Sequence, residues 1–306
     1  MAVSRIKNEI DIAEAFVRHT AAFVDAHLIL DNGSTDGTRD ILEELLGEGI
    51  PIEVAIDPAV GGDDGAILTT MMRRALSGFA PDWVLPLDVD EFIGADGRDH
   101  LEAALRASPQ PALVGWRTYT PVPADDPLET NPVQRIRHRL LSESRVWEKV
   151  FVPARWVERG LLTPGHHDVQ IEDGADSPRT RLEGIPLCHF PVRNLSQYAI
   201  KVLMGNLWYI ARGSERKGLG FHYEAPFRQF LDDWDSFCED FYDAAPRFAL
   251  EPGARFDPVL VEDPFPYLGS QLRFTPPPRA NEPWRTIVEY ALQLAEQIGR
   301  VGTGPG

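Results

Sequence analysis

Cysteine is scarce in this chain of 306 residues: Cys188 and Cys238 stand alone, with no CxxC pair. There is no disulfide framework to build on, and a reducing compartment is the expectation. Basic charge is in deficit, with 30 Lys and Arg against 47 Asp and Glu and a formal net charge of -17. A field of that sign repels phosphate backbones, which excludes nucleic acid as a partner. It also means that a small anionic ligand needs local cations, from a metal or a few placed Arg and Lys side chains. No apolar run approaches the length of a membrane span. The N-terminus enters the polar stretch Ser4-Arg5-Ile6-Lys7-Asn8-Glu9 without the apolar core of a signal peptide. A cytoplasmic protein with no integral membrane segment is expected. Glycine fingerprints of Rossmann or P-loop type are missing too, as is an EF-hand loop.

What is present is a chain long enough to bury a real core, with 43% hydrophobic and 25% charged residues, so the bulk of it is expected to fold. The first half alternates short apolar runs with helical patterns, the form of βαβ units and a parallel sheet. A short strand begins near Val3, Ile10 to Phe23 carries apolar residues at helical spacing, and Ala26 to Leu30 reads as a buried strand ended by Asp31. The turn Asp31-Asn32-Gly33-Ser34-Thr35-Asp36-Gly37-Thr38 leads into a helix bearing Ile41, Leu42, Leu45 and Leu46. Ile50 to Ile56 alternates as a third strand. Ile67 to Leu76 forms a helix with Met71, Met72 and Ala75 inward, and Trp83 to Leu87 gives a fourth strand ended by Asp88. Later, Ala112 to Thr120 and Trp147 to Val152 read as strands and Asn194 to Arg212 as a helix. Ligands of open parallel sheets sit beyond the carboxyl ends of the strands, so Asp31 and Asp88 are expected on one rim.

Three carboxylates in four residues, Asp88-Val89-Asp90-Glu91, follow a buried strand and repel one another unless something positive sits among them. A divalent cation with oxygen ligands is the natural candidate. An Asp-x-Asp after an apolar strand also suits a haloacid-dehalogenase-like magnesium phosphatase, with Asp88 as nucleophile and Asp90 as acid. That motif usually begins the fold and continues to Thr or Val where this chain has Phe92.

Taken together, Asn8-Glu9 after the first strand, the Asp31 to Thr38 turn after the second, and Asp88-Val89-Asp90-Glu91-Phe92 after the fourth resemble family 2 glycosyltransferases of the GT-A fold. The likeness covers about the first hundred residues and weakens to roughly residue 215. It implies an α/β, Rossmann-like, mostly parallel sheet flanked by helices, with a GT-A domain over 1–215 and a C-terminal extension over 216–306 packing on it. Within that domain the nucleotide-binding part spans about 1–95 and the acceptor part about 96–215. The implied activity is transfer of a sugar, with inversion, from a UDP- or GDP-linked donor to a glycan or small-molecule hydroxyl, with Mn2+ or Mg2+. By position, Asp31 matches the acid that hydrogen-bonds the nucleotide base, and Asn8 and Glu9 the loop lining its pocket. Asp88 matches the acid near ribose and metal, and Asp90 the direct metal ligand. Two later segments resemble a subgroup of the same family: Pro164-Gly165-His166-His167-Asp168, after the strand with Lys149, and Leu187-Cys188-His189-Phe190-Pro191-Val192-Arg193, before the helix with Lys201. From these, Lys149, His167, Arg193 and Lys201 are expected around the nucleotide sugar and His189 in the metal shell. Asp168 is the expected general base, with Glu91 and Asp173 as alternatives. A catalytically silent sugar-nucleotide binding protein on the same fold is the other reading.

Overall fold

The structure, a computed structural model, describes residues 1–59, 64–107, 109–145, 147–171, 178–211, 220–248, 250, 254–277 and 282–302. The first half runs β1 (Ala2–Ile6), α1 (Ala13–Thr20), β2 (His27–Asp31), α2 (Thr38–Gly47), β3 (Ile52–Ile56), α3 (Asp64–Phe79) and β4 (Trp83–Pro86). It continues through β5 (Glu91–Ile93), α4 (Arg98–Arg106), β6 (Ala112–Thr120), α5 (Pro132–Arg135), β7 (His138–Leu140), β8 (Glu148–Pro153) and α6 (Ala154–Val157). Then come β9 (Gly160–Leu162), β10 (Val169–Ile171), β11 (Thr180–Arg181), β12 (Leu187–His189) and α7 (Leu195–Ala211). The C-terminal part holds α8 (Phe221–Asp232), α9 (Trp234–Glu239), α10 (Phe241–Ala244), β13 (Leu260–Glu262) and α11 (Glu282–Gly302).

The fold is mixed α/β. Strands β3, β2, β1 and β4 lie side by side and parallel, as the alternation of apolar runs and helical patterns predicts. Beyond β4 the sheet continues through β8, β6, β7 and β13 by antiparallel pairing. Strands β11 and β12 add to β6 in parallel, and β5 folds back antiparallel on β12. The predicted helices and strands lie where expected, with ends shifted by a few residues; Asn194 caps α7 by accepting the Gln197 N–H at 2.9 Å. Met71, Met72 and Ala75 face inward.

One core layer, under α1 and α2, gathers Phe16, Phe92, Phe190 and Phe265; the other, under α3, gathers Val3, Leu28, Met72 and Val150. The C-terminal part joins the first layer, since Phe265 lies 5.7 Å from Phe92, centroid to centroid. Buried Glu14 accepts from the backbone N–H groups of Arg273, Phe274 and Thr275 at 2.7, 2.9 and 2.7 Å.

His27 sits in this core, edge-on to Phe16 and bonded through Nε2 to Ser4 Oγ at 2.9 Å. Burial depresses its pKa from 6.5 to about 3. The unfolded chain therefore binds a proton below pH 6.5 that the folded chain refuses, and this residue's share of stability falls as pH drops toward 3. Denaturant unfolding of wild type and His27→Gln between pH 6.5 and 5 measures it. The wild type is expected to lose about 1.6 kcal/mol over that range relative to the variant, other groups cancelling in the difference. Parallel curves contradict it.

Candidate active site on the carboxyl rim of the sheet

Strands β2 and β4 flank β1 in parallel, so Asp31 and Asp88 project from the same rim, with Asn8 and Glu9 just beyond β1 between them. The Asp31 to Thr38 turn clamps that middle loop. The N–H groups of Asn8, Glu9 and Ile10 donate in succession to Ser34 Oγ, Thr38 Oγ1 and Asp36 Oδ2, at 2.9, 2.8 and 3.0 Å. Asn8 Oδ1 accepts from the Thr35 N–H in return, at 2.8 Å. Gly37 takes φ 105°, and a Cβ there would lie 2.9 Å from Ile10 Cδ1. Most of the motif is thus a clamp. Asp31 differs: it is 1% exposed, its Oδ1 accepts the Ser34 N–H at 3.1 Å, and its Oδ2 is buried with no hydrogen-bond partner.

The second acidic group is held by register. Strand β5 pairs with β12 so that Glu91 stands opposite His189, and the Phe190 N–H donates to the Asp90 carbonyl at 2.8 Å. Lys149 of β8 donates to Asp88 Oδ2 at 2.5 Å and lies 3.3 Å from Glu91 Oε1. Lys201 of α7 donates to Asp90 Oδ2 at 2.6 Å and to the Pro191 carbonyl at 3.0 Å. His189 Nε2 is 3.7 Å from the same Asp90 oxygen, and its ring lies against Trp116 at 4.2 Å. His166 Nδ1 stands 3.6 Å from Asp88 Oδ1.

Charge pairing sets the protonation states. Burial opposes ionisation of Asp88, yet Lys149 and His166 outweigh it and hold the carboxyl below its usual range. Asp90 is held well below that range, because Lys201 and His189 overcome its burial. Glu91 goes the other way: burial raises it to about 8, only partly countered by Lys149. It is fully enclosed, with Oε1 accepting the Trp116 indole N–H at 2.8 Å and Oε2 the Asp88 N–H at 3.2 Å, so it braces the turn from beneath. Lys149 stays charged, raised above its usual value by Asp88 and Glu91 against the effect of burial.

Several expected residues are engaged elsewhere. Arg193 is fully buried and binds Glu9 and both oxygens of Asp11, the latter at 2.8 Å, so its charge fastens α7's approach to the β1 loop. His167 bonds the Glu148 carbonyl through Nδ1 at 2.7 Å and packs on Trp147. Asp168 is bound by Arg179 at 2.6 and 3.0 Å and accepts the Val169 N–H, while its side chain is 39% exposed. Among the described contacts it touches neither Asp88 nor Asp90. Asp173 lies outside the described residues. Residues not singled out from sequence are Asp11, Trp116 and His166. The first two emerge only from long-range pairing. His166 had a local signal, a residue at φ 56° after Gly165 in a tight turn that throws its ring inward.

The donor set suits a hard divalent cation. Adjacent ligands of an octahedral ion lie about 3 Å apart, and Asp90 Oδ2 with His189 Nε2 come near that spacing. His189 Nδ1 and both His166 ring nitrogens are buried without hydrogen-bond partners. Among the described residues no group of three or more His, Cys, Asp or Glu side chains gathers at ligand spacing, so water or substrate oxygens would complete the shell. A cavity of about 1370 Å³ opens at the opposite end of the strands beside Met1, Pro51 and Trp83 and includes none of these side chains.

The sequence matches no protein-family description, and no curated protein is significantly similar to it. Among solved structures the chain is similar to a mannosyltransferase from Pyrobaculum calidifontis, determined in complex with GDP-Man and Mn2+. The two share 15% identity over 100% of this chain and 75% of that one, with a TM-score of 0.39. A superposition this loose transfers neither a residue nor a ligand. No helix among the described residues is long and apolar enough to cross a membrane.

If Lys149 is the counter-ion that lets Asp88 and Glu91 share this turn, Lys149→Met keeps the packing of its stem and strands both acids. Denaturant unfolding is expected to show a loss of about 3 kcal/mol, the low end for a broken buried pair because Asp88 is 40% exposed. Unchanged stability would mean that the pair does not hold the turn.

Proposed function

We propose that this chain is a glycosyltransferase that moves a sugar from a UDP- or GDP-linked donor to an acceptor hydroxyl with inversion, using Mn2+ or Mg2+. One observation carries the reading. Asp31 at the end of β2 and Asp88 and Asp90 after β4 share one rim, with Lys149 and Lys201 bonded to the second pair. An unpartnered carboxylate oxygen suits a base N–H, and a low-pKa acid pair flanked by lysines suits a diphosphate with its cation.

In this reading Asp31 accepts from the nucleotide base, with the Asn8–Glu9 loop as the wall of its pocket. Asp90 and His189 would hold the cation, with Asp88 beside them; when bound, it would supply positive charge for the departing diphosphate. Lys149 and Lys201 are the chain's own cations for that charge. Asp168 takes the acceptor proton, oriented by Arg179; catalytic hydrogen bonds often form only with substrate in place.

UDP or GDP is expected to raise the melting temperature only with Mn2+ or Mg2+. At a hundredfold excess over the Kd the gain is about 2.7 kcal/mol. Equal shifts in EDTA speak against the metal. Asp90→Asn, which removes a charge at the rim and no core contact, should abolish transfer yet leave the protein folded. Near-normal turnover at limiting metal removes Asp90 from the site. Phosphate ester hydrolysis without sugar transfer would favour the phosphatase reading instead, and saturable binding without turnover the silent module.

Asp168→Asn is expected to lower transfer by about a hundred- to ten-thousandfold and spare donor binding. A variant that transfers normally would leave Asp168 as the loop anchor that its bonds to Arg179 and Val169 describe.

A further inference from the structure

An amphipathic helix on a protein surface ordinarily turns its apolar stripe inward and its polar residues to solvent. Helix α11 divides differently. Its inward face includes the polar residues Thr286 and Gln293 beside Tyr290 and Leu294, the last two buried against Met204, Leu207 and Trp208 of α7. Trp284, Val288 and Leu292, each four residues from the last and so aligned along one face, are left in solvent, and Ile298 follows a turn and a half later. Val288, Leu292 and Ile298 are more than half exposed, and Trp284 is 48% exposed. From Trp284 to Ile298 the stripe runs about 20 Å, at a rise of about 1.5 Å per residue.

The apolar surface continues past the helix. The Trp284 ring lies 5.6 Å, centroid to centroid, from both Phe230 of α8 and Trp234 of α9, and Trp234 is itself 42% exposed. Phe230 at 5.2 Å and Phe237 at 5.7 Å pack against Trp234, so both indoles are supported by the fold while part of their surface meets water. Apolar exposure that is continuous over two elements differs from the single exposed side chains of an ordinary surface and marks a contact site. Tryptophan is among the residues most enriched in the energetic anchors of interfaces.

Charge decides the occupant. From Gln229 to Pro246 the chain has six carboxylates and no Lys, Arg or His. Asp233 and Asp235 flank Trp234, and these two, Asp232 and Glu239 are exposed. None of the six takes part in a described ion pair. The neighbouring cations are engaged, Arg228 by Glu224 and Arg285 by Glu289, each at 2.8 Å. A second copy of this chain would bring the same six charges to the contact, and an anionic lipid surface would add more of that sign, so repulsion opposes both. A segment with Lys or Arg along the margins of an apolar face answers both features together.

We propose that the outer face of α11, continued by Trp234 of α9, is a docking surface for a cationic amphipathic helix of a partner protein. The partner's apolar side chains cover Trp234, Trp284, Val288 and Leu292, and its Lys or Arg side chains meet Asp232, Asp235 and Glu239. The residues that face α7 and the rim lie on the other side of α11, so the docked partner leaves the rim open. The proposal is therefore independent of the reaction carried out there.

The test uses the full chain and labelled synthetic peptides of about 18 residues, read by fluorescence anisotropy. One peptide sets Leu at helical spacing along one face with Lys elsewhere, a second has the same residues shuffled so that no face is apolar, and a third has Glu for every Lys. The first is expected to bind about tenfold or more tightly than either of the others. Val288→Ser/Leu292→Ser, which changes two exposed side chains, is expected to weaken that binding about tenfold or more. Asp232→Asn/Asp235→Asn leaves the apolar stripe and the α9 cap at Asp233 intact, and is expected to weaken it several-fold and to make it less sensitive to salt. Equal binding of the shuffled or the Glu peptide, or unchanged binding by either variant, overturns the proposal. A wild type that sediments as a dimer, and as a monomer after Val288→Ser/Leu292→Ser, overturns it in favour of a second copy. Flotation with phosphatidylcholine vesicles that the same variant loses overturns it in favour of a lipid surface.

Discussion

The site depends on the pairing of three cations, two of them buried, with the acids of one sheet rim. Lys149, Lys201 and Arg193 each come from outside the parallel strands that carry the acids. They meet Asp88 and Glu91, Asp90, and Glu9 and Asp11 respectively. Without them the carboxylates that follow β1 and β4 would repel one another in a poorly hydrated corner. With them, β8 and α7 are drawn to the ends of β1 and β4, so charge neutralisation and tertiary assembly are the same event. The chain is strongly acidic overall, which makes its few enclosed cations the more decisive.

Backbone register adds the directional part. The antiparallel pairing of β5 with β12 sets His189 opposite Glu91, and the parallel pairing of β12 with β6 sets it opposite Thr118 and beside Trp116. A slip of one residue would turn His189 away from Asp90 and Phe92 out of the aromatic core, so the same constraint protects both. Phe92 touches Phe16, Phe190 and Phe265 edge-on, and the residues before and after it in the motif are fixed by that anchor.

What could be read from the sequence follows from range. Alternating apolar runs and helical spacing are local signals, and they located β1 to β4 and the rim that brings Asp31 and Asp88 together. The antiparallel continuation through β8, β6 and β7 depends on pairings between distant segments, for which a single sequence holds no local signal. The site divides along the same line. Asp88, Asp90, Lys149 and His189 were legible as charged or imidazole groups at element ends and Lys201 as a cation on a helix, and the structure gathers them. Arg193 was legible as a cation, but its partner Asp11 is 182 residues away, and only that pairing shows the charge turned inward. Between neighbouring histidines the choice depended on one backbone dihedral: φ 56° at His166 sends that ring toward Asp88 and leaves His167 to Trp147.

The C-terminal part is bound to the rest by polar as well as apolar contacts, and this bears on how the rim is enclosed. Glu14 on α1 accepts from three successive backbone N–H groups, at Arg273, Phe274 and Thr275, and from Arg18 at 2.9 Å. Burial works against its ionisation, but these donors hold the carboxyl below its usual range. Strand β13 extends the sheet on β7, and Phe265 enters the core that anchors the acidic turn. A segment fastened at β7, at α1 and in the aromatic cluster constrains where the helix that follows it lies, and α11 runs along α7 to the loops after β1 and β2. The two faces of α11 then have different tasks. Tyr290, Gln293 and Leu294 face the rim and α7, while Val288 and Leu292 remain more than half exposed. Trp284, near the start of the helix, also packs on Phe230 and Trp234, with ring centroids 5.6 Å apart in each case. A rim built from strands is thus enclosed beside Asp31 by a helix from a distant part of the chain, fastened through Gln293 to Lys7 and Gly33.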